Sequence, residues 1–117
     1  MSPQLLTIEV TRLDAGTARL RLTGDLDFDT APELIDAAAE VRADGHGALI
    51  IDLGGVGLCD SSGLSAFVVL SRRGSGPVRL TGVSARLQQL LDRTGLAELL
   101  AVEEEPAGAV DDVREVG

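Results

Sequence analysis

The period of the apolar residues changes at Gly24, and this change restricts the fold more than any other feature of the sequence. Before Gly24, apolar and polar residues alternate over 6–11 and 17–23, which predicts two half-buried strands. The connection Asp14-Ala15-Gly16 is typical of a tight turn, so the two strands should pair as an antiparallel hairpin. After Gly24, helical and strand-like segments alternate. The sequence therefore predicts an α/β fold in which an antiparallel hairpin opens a mixed central sheet, with about four helices.

The elements after Gly24 are placed by apolar spacing and by the residues that begin and end helices. Thr30-Ala31-Pro32-Glu33 has the form of a capping box and opens a helix over about 31–43. Residues 48–53 predict a strand buried on both faces, and the glycines from Gly54 to Gly57 predict a turn after it. The other predicted elements are a helix over 61–72, a strand over 78–80, a helix begun by Ser84 and ended by Gly95, an edge strand over 99–102, and an acidic helix over about 107–116.

The size and charge of the chain limit the classes of function. Its 117 residues suit a single domain, with a core over about 5–102 followed by the acidic C-terminal helix. The formal net charge is −9 and the chain has neither Trp nor Tyr, so nucleic acid is not expected as a partner. No apolar run is long enough to span a bilayer and no secretion signal is visible, so we expect no membrane association and a cytoplasmic location.

Two hydroxyls and a carboxylate stand where the strand over 48–53 gives way to the next helix. Asp60, Ser61 and Ser62 precede Gly63 and the apolar face of that helix. Free backbone N–H groups and the positive end of the helix dipole favour a bound or attached phosphate at such a position. Asp and Ser are also the preferred N-cap residues, so capping alone would explain them. Cys59 has no second cysteine to pair with and is predicted to be a small core residue.

Alternating carboxylates after the second strand raise the question of a metal site. Asp25, Asp27 and Asp29 could begin an EF-hand loop, which would need Gly at its sixth position and Glu at its twelfth. The chain has Thr30 and Asp36 at these positions, so no metal is predicted. Acidic residues that complement the following helix dipole are the simpler interpretation.

Two phosphotransfer enzyme families also offer partial matches. Asp25-Leu26-Asp27 resembles the first motif of haloacid-dehalogenase-like phosphatases, and Asp52 resembles the acceptor of a response-regulator receiver. Both families use a lysine to neutralise the phosphoryl group, and this chain contains none. We therefore predict that the protein is not an enzyme.

Two segments together resemble a known family. Gly24-Asp25-Leu26-Asp27 before one helix and Asp60-Ser61-Ser62-Gly63-Leu64 at the start of the next are similar to the anti-sigma factor antagonists, the bacterial members of the STAS domain family. The resemblance covers nearly the whole chain from about Leu5. It implies a transcription regulator that works by partner switching. We assign no cofactor to the chain.

The resemblance also implies roles for individual residues. Ser61 matches the serine that is phosphorylated by the partner, an anti-sigma factor that is also a serine kinase, and a metal-dependent serine phosphatase removes the phosphate. Asp27 matches a loop aspartate near that serine, and Asp25, Asp60, Ser62 and Gly63 complete the surroundings of the phosphorylation site. Some STAS domains are not phosphorylated, and the alternative function is a scaffolding module of another regulatory or transport complex.

Overall fold

The computed structural model describes residues 6–74 and 76–102, whose strands form a mixed sheet. In chain order the elements are β1 (Thr7–Arg12), β2 (Thr17–Leu26), α1 (Ala31–Ala43), β3 (Ala48–Cys59), α2 (Ser61–Arg73), β4 (Val78–Thr81), α3 (Ala85–Thr94), α4 (Leu96–Leu99) and β5 (Ala101–Val102). The strands lie in the sheet in this same order. β1 pairs antiparallel with β2, and every later pair is parallel. The predicted mixed sheet, opened by an antiparallel hairpin, is confirmed.

The core lies on one face of the sheet. Along β2, Leu20 and Leu22 are fully buried whereas the alternating residues Arg19 and Arg21 are exposed. Right-handed crossovers between neighbouring parallel strands place the connecting helices on a common face, where Phe67 of α2 is fully buried. The prediction that residues 48–53 are buried on both faces is wrong. Ile50 and Asp52 are only half-buried, because the face to which the polar residues of β2 point is not covered by the described helices.

The third strand is twice as long as predicted. β3 continues to Cys59, so the turn predicted over Gly54–Gly57 is wrong. It keeps pairing with β2 through two shifts of register, each of which adds a residue to β3. A Cβ atom at Gly55 would lie 2.8 Å from the carbonyl oxygen of Leu22, so glycine is needed where the two strands approach most closely.

The ends of the later elements agree only in part with those predicted from the sequence. Ser84 caps α3 by accepting a hydrogen bond from the backbone N–H of Leu87 at 3.1 Å, and Gly95 ends this helix with a φ of 77°, both as predicted. The single turn α4 was not predicted, and β5 begins two residues later than expected. The acidic helix predicted over 107–116 lies outside the described residues. Within these, no helix has the length and apolar character needed to cross a bilayer.

Candidate functional site

The carboxyl ends of β2 and β3 bring the two predicted site segments together. Asp25 pairs with Leu58, and Leu26 pairs with Cys59. Beyond the last pair, the backbone N–H of Asp60 donates to the carbonyl oxygen of Leu26 at 3.2 Å. The loop after β2 and the start of α2 are therefore neighbours at one edge of the molecule. We call this region, at the carboxyl ends of these two strands, the β2–β3 edge; it is made up of residues 25–30 and 58–63.

Asp60 is the N-cap of α2. Its Oδ1 accepts hydrogen bonds from the backbone N–H groups of Ser62 at 2.8 Å and Gly63 at 3.3 Å. Its own carbonyl oxygen accepts from the N–H of Leu64 at 3.2 Å, which starts the helix. The capping interpretation is therefore correct for Asp60. The carboxylate also supplies the negative charge that the helix dipole favours at this end.

Ser61 is the first residue of α2 and is exposed, whereas Ser62 is half-buried. Among the described residues, none forms a hydrogen bond with the Ser61 hydroxyl. The capping role that the sequence allowed for this serine thus belongs to its neighbour Asp60. Ser61 presents a free hydroxyl to solvent at the positive end of a helix of 13 residues.

Gly63 is buried because α2 lies against the strand ends at this point. A Cβ atom here would be 2.6 Å from Sγ of Cys59 and 3.0 Å from Cδ2 of Leu26. The absence of a side chain lets the first turn of α2 pack on both strands. Cys59 is half-buried in this contact, and burial together with the charge of Asp60 raises the pKa of its thiol to about 11. Such a thiol is not a reactive nucleophile at neutral pH.

The loop from Asp25 to Thr30 is held by its own side chains. Oδ1 of Asp27 accepts from the backbone N–H groups of Asp29 at 3.0 Å and Thr30 at 3.1 Å. The Thr30 hydroxyl is buried; it accepts from the N–H of Asp27 at 2.9 Å and donates to the carbonyl oxygen of Asp25 at 2.8 Å. The predicted capping box therefore does not form, because Thr30 bonds to the preceding loop and makes no side-chain cap on α1. Asp27 is likewise bonded within its own loop, and among the described residues no hydrogen bond joins it to Ser61.

Two apolar residues at this edge were missed by the sequence analysis. Phe28 is 78% exposed and Leu58 is 51% exposed. The sequence did hold a signal for each: an aromatic residue between two aspartates, and a leucine following a glycine-rich stretch. No group of three or more His, Cys, Asp or Glu side chains in the described part of the chain could hold a metal ion.

Comparisons with a family model, with curated proteins and with solved structures all point to the same family. The family model described as Mlab, STAS domain, matches residues 9–101. An anti-sigma-B factor antagonist from Staphylococcus aureus is 33% identical over 102 residues, which cover 85% of this chain and 94% of that protein. A solved anti-sigma factor antagonist from Mycobacterium paratuberculosis is 29% identical with a TM-score of 0.67, covering 83% of this chain and 84% of that one. The phosphorylated form of SpoIIAA from Bacillus shares the fold, with 17% identity, a TM-score of 0.64 and coverage of 87% and 96%.

Proposed function

The chain belongs to the STAS domain family, and we propose that it acts as an anti-sigma factor antagonist that is switched off by phosphorylation of Ser61. In this function the unmodified protein binds an anti-sigma factor that is also a serine kinase, and binding frees the sigma factor. Phosphorylation of Ser61 ends binding, and a metal-dependent serine phosphatase restores it. We place this cycle in the cytoplasm, where sigma factors act.

The observation that carries this proposal is the free hydroxyl of Ser61. It lies exposed at the first position of α2, in the place that the resemblance assigns to the phosphorylated serine. Its neighbours Asp60 and Gly63 have structural roles, as cap and as packing contact, and these roles hold the helix start in place. A kinase can therefore reach Ser61 without unfolding any element.

The reaction itself needs no catalytic group from this chain. Oγ of Ser61 attacks the γ-phosphorus of ATP held by the kinase, and the new O–P bond forms as the bond to the bridging oxygen of ADP breaks. The hydroxyl proton passes to a base of the kinase. Hydrolysis by the phosphatase returns the hydroxyl and releases inorganic phosphate.

Electrostatic repulsion explains why the phosphorylated protein would dissociate from the kinase. Phosphoserine adds about −1.5 to −2 charges at neutral pH. A kinase that binds ATP holds anionic groups close to Ser61, and at ~4–5 Å with an effective dielectric near 20 two like unit charges repel by about 3–4 kcal/mol. This repulsion corresponds to a loss of affinity of more than about a hundredfold.

The test is phosphorylation by purified anti-sigma factor kinases with ATP, followed by mass spectrometry to locate the phosphate. We expect modification of the wild-type chain and of a Ser62→Ala control at Ser61, and none of a Ser61→Ala variant. Binding that persists unchanged in Ser61→Ala and Ser61→Asp, with no phosphate incorporated, would instead favour the scaffolding module. Phosphate transfer by the isolated chain would show that it is an enzyme.

Affinity provides a second measurement. Ser61→Asp should bind the kinase at least tenfold more weakly than wild type, because even one added charge is repelled at close range. Ser71→Asp carries the same charge in the last turn of α2, about 15 Å farther along the helix. We expect this control to bind as wild type, and equal weakening of both variants would argue against a local switch.

A further inference from the structure

The β2–β3 edge exposes two large apolar side chains to solvent. Of the four large apolar residues that are markedly exposed in the described part of the chain, Phe28 and Leu58 lie here, and Val10 and Leu13 lie at the β1 side of the sheet. The other phenylalanine, Phe67, is fully buried in the core. Exposed aromatic surface beside a functional group is typical of a contact site for another protein.

Neither apolar side chain is needed to hold the edge together. The loop around Phe28 is fixed by the hydrogen bonds of Asp27 and Thr30. Leu58 follows the second register shift of β3, which redirects the strand just before its end. It also lines a cleft of about 320 Å³ between β3 and α3, whose α3 wall carries Leu87 and Leu90 together with Arg86 and Arg93.

The charge of the loop around Phe28 indicates the chemistry of the partner surface that faces this loop. The sequence contains no Arg or Lys between Arg21 and Arg42, and this interval includes Asp25, Asp27 and Asp29. None of these three carboxylates forms an ion pair with another described residue. A complementary surface would carry basic side chains opposite the loop.

We infer that Phe28 and Leu58 are the apolar anchors by which this chain docks on the kinase. The kinase would offer them an apolar pocket with basic side chains opposite Asp25, Asp27 and Asp29, while its anionic nucleotide faces Ser61. The inference rests on the proposed function and adds the contact on which its switch acts. A phosphate on Ser61 would stand at the margin of an apolar contact, where it loses water without gaining a pairing partner from this chain. The anchors thus make the modification more disruptive than it would be in a hydrated interface.

The experiment measures binding of single variants to the purified kinase that phosphorylates the wild-type chain. Phe28→Ala and Leu58→Ala should each weaken binding by about ten- to a hundredfold, as expected for truncated anchor residues. Leu13→Ala, at 44% exposure, is the matched control for Leu58→Ala, and Val10→Ala, at 39%, is a second exposed apolar control; we expect both to bind within about twofold of wild type. Because all four residues are exposed, each alanine variant should keep the wild-type melting temperature. Phe28→Glu serves as a second anchor variant.

The outcomes separate the inference from the proposed function. Wild-type binding by Phe28→Ala and Leu58→Ala, together with normal phosphorylation of Ser61, overturns the inference alone. If no kinase of the source organism binds or phosphorylates the wild-type chain, both are overturned. Self-association that is abolished by Phe28→Ala in analytical ultracentrifugation, without any effect on kinase binding, would assign this surface to a second copy of the chain and also overturn the inference.

Discussion

At the scale of single residues, Asp60 already supplies an anion to the start of α2. Its carboxylate accepts hydrogen bonds from two backbone N–H groups that would otherwise be available to a phosphate on Ser61. A phosphate therefore gains little from the helix dipole, which contributes only about 0.3–1 kcal/mol at an exposed site. The modification is thus better suited to repel a partner than to rearrange the chain.

The cap itself can be tested by substitution. Asp60→Ala should lower the free energy of unfolding by about 1 kcal/mol, because two backbone N–H groups at the helix start lose their acceptor. Ser84→Ala removes the equivalent cap of α3 and should cost a similar amount. Urea denaturation measures both. An unchanged midpoint for Asp60→Ala, with a lower one for Ser84→Ala, would contradict the capping role of Asp60.

Cys59 should produce a distinct pH dependence of stability. Its pKa is about 11 in the folded chain, above the ordinary value of 9.0, so between these pH values the unfolded thiol loses its proton while the folded one keeps it. Unfolding is thereby favoured, and the free energy of unfolding should fall from about pH 9 to about pH 11. The chain has no Lys or Tyr to titrate in this range. Denaturation of a Cys59→Ala variant should show a flatter profile, and an equal slope in both proteins would contradict this assignment.

At the scale of elements, Arg42 ties the helix ends together. From the last turn of α1 its guanidinium donates to the carbonyl oxygens of Leu70 at 2.7 Å, Gly47 at 3.1 Å and Gly76 at 3.4 Å. These oxygens belong to α2 and to the segments before β3 and β4. The contact is half-buried, and desolvation lowers the pKa of Arg42. One side chain thus links three segments that are remote in sequence.

Removal of this link should be costly. Arg42→Met leaves three carbonyl oxygens without their donor, and we expect a loss of about 2–3 kcal/mol in the free energy of unfolding. Arg73→Met, in the last turn of α2, removes an exposed arginine and should change stability by less than about 0.5 kcal/mol. Thermal and urea denaturation compare the two. Equal stability of both variants would show that water replaces the Arg42 hydrogen bonds without penalty.

The sequence predicted elements well where local rules decide, as at Ser84 and Gly95. It failed where a contact distant in sequence decides. The glycines of β3 are typical of a turn, yet Gly55 is required because β2 approaches it at that point. Thr30 has the local pattern of a capping residue, but its hydroxyl is bonded to Asp25 and Asp27 in the preceding loop. Neither contact follows from the spacing of residues along the chain.

At the scale of the whole molecule, we expect the switch to leave the fold unchanged. Ser61 is exposed and bonded to no other described residue through its hydroxyl, so a charge there disturbs no internal contact. Ser61→Asp should therefore have the same far-ultraviolet circular dichroism spectrum as wild type and a melting temperature within about 2 °C of it, since surface substitutions usually change stability by less than about 0.5 kcal/mol. A changed spectrum would indicate a conformational switch in place of a local one.

The identical order of the strands in the chain and in the sheet has a consequence for biosynthesis. Each strand pairs with the one that left the ribosome before it, so no strand has to wait for a distant partner or insert between two others. The nascent chain can add one β-α unit after another to a growing edge. Translation and folding can therefore proceed in the same direction. No intermediate has to hold open a gap in the sheet, with unpaired strands on either side, for a later strand to fill.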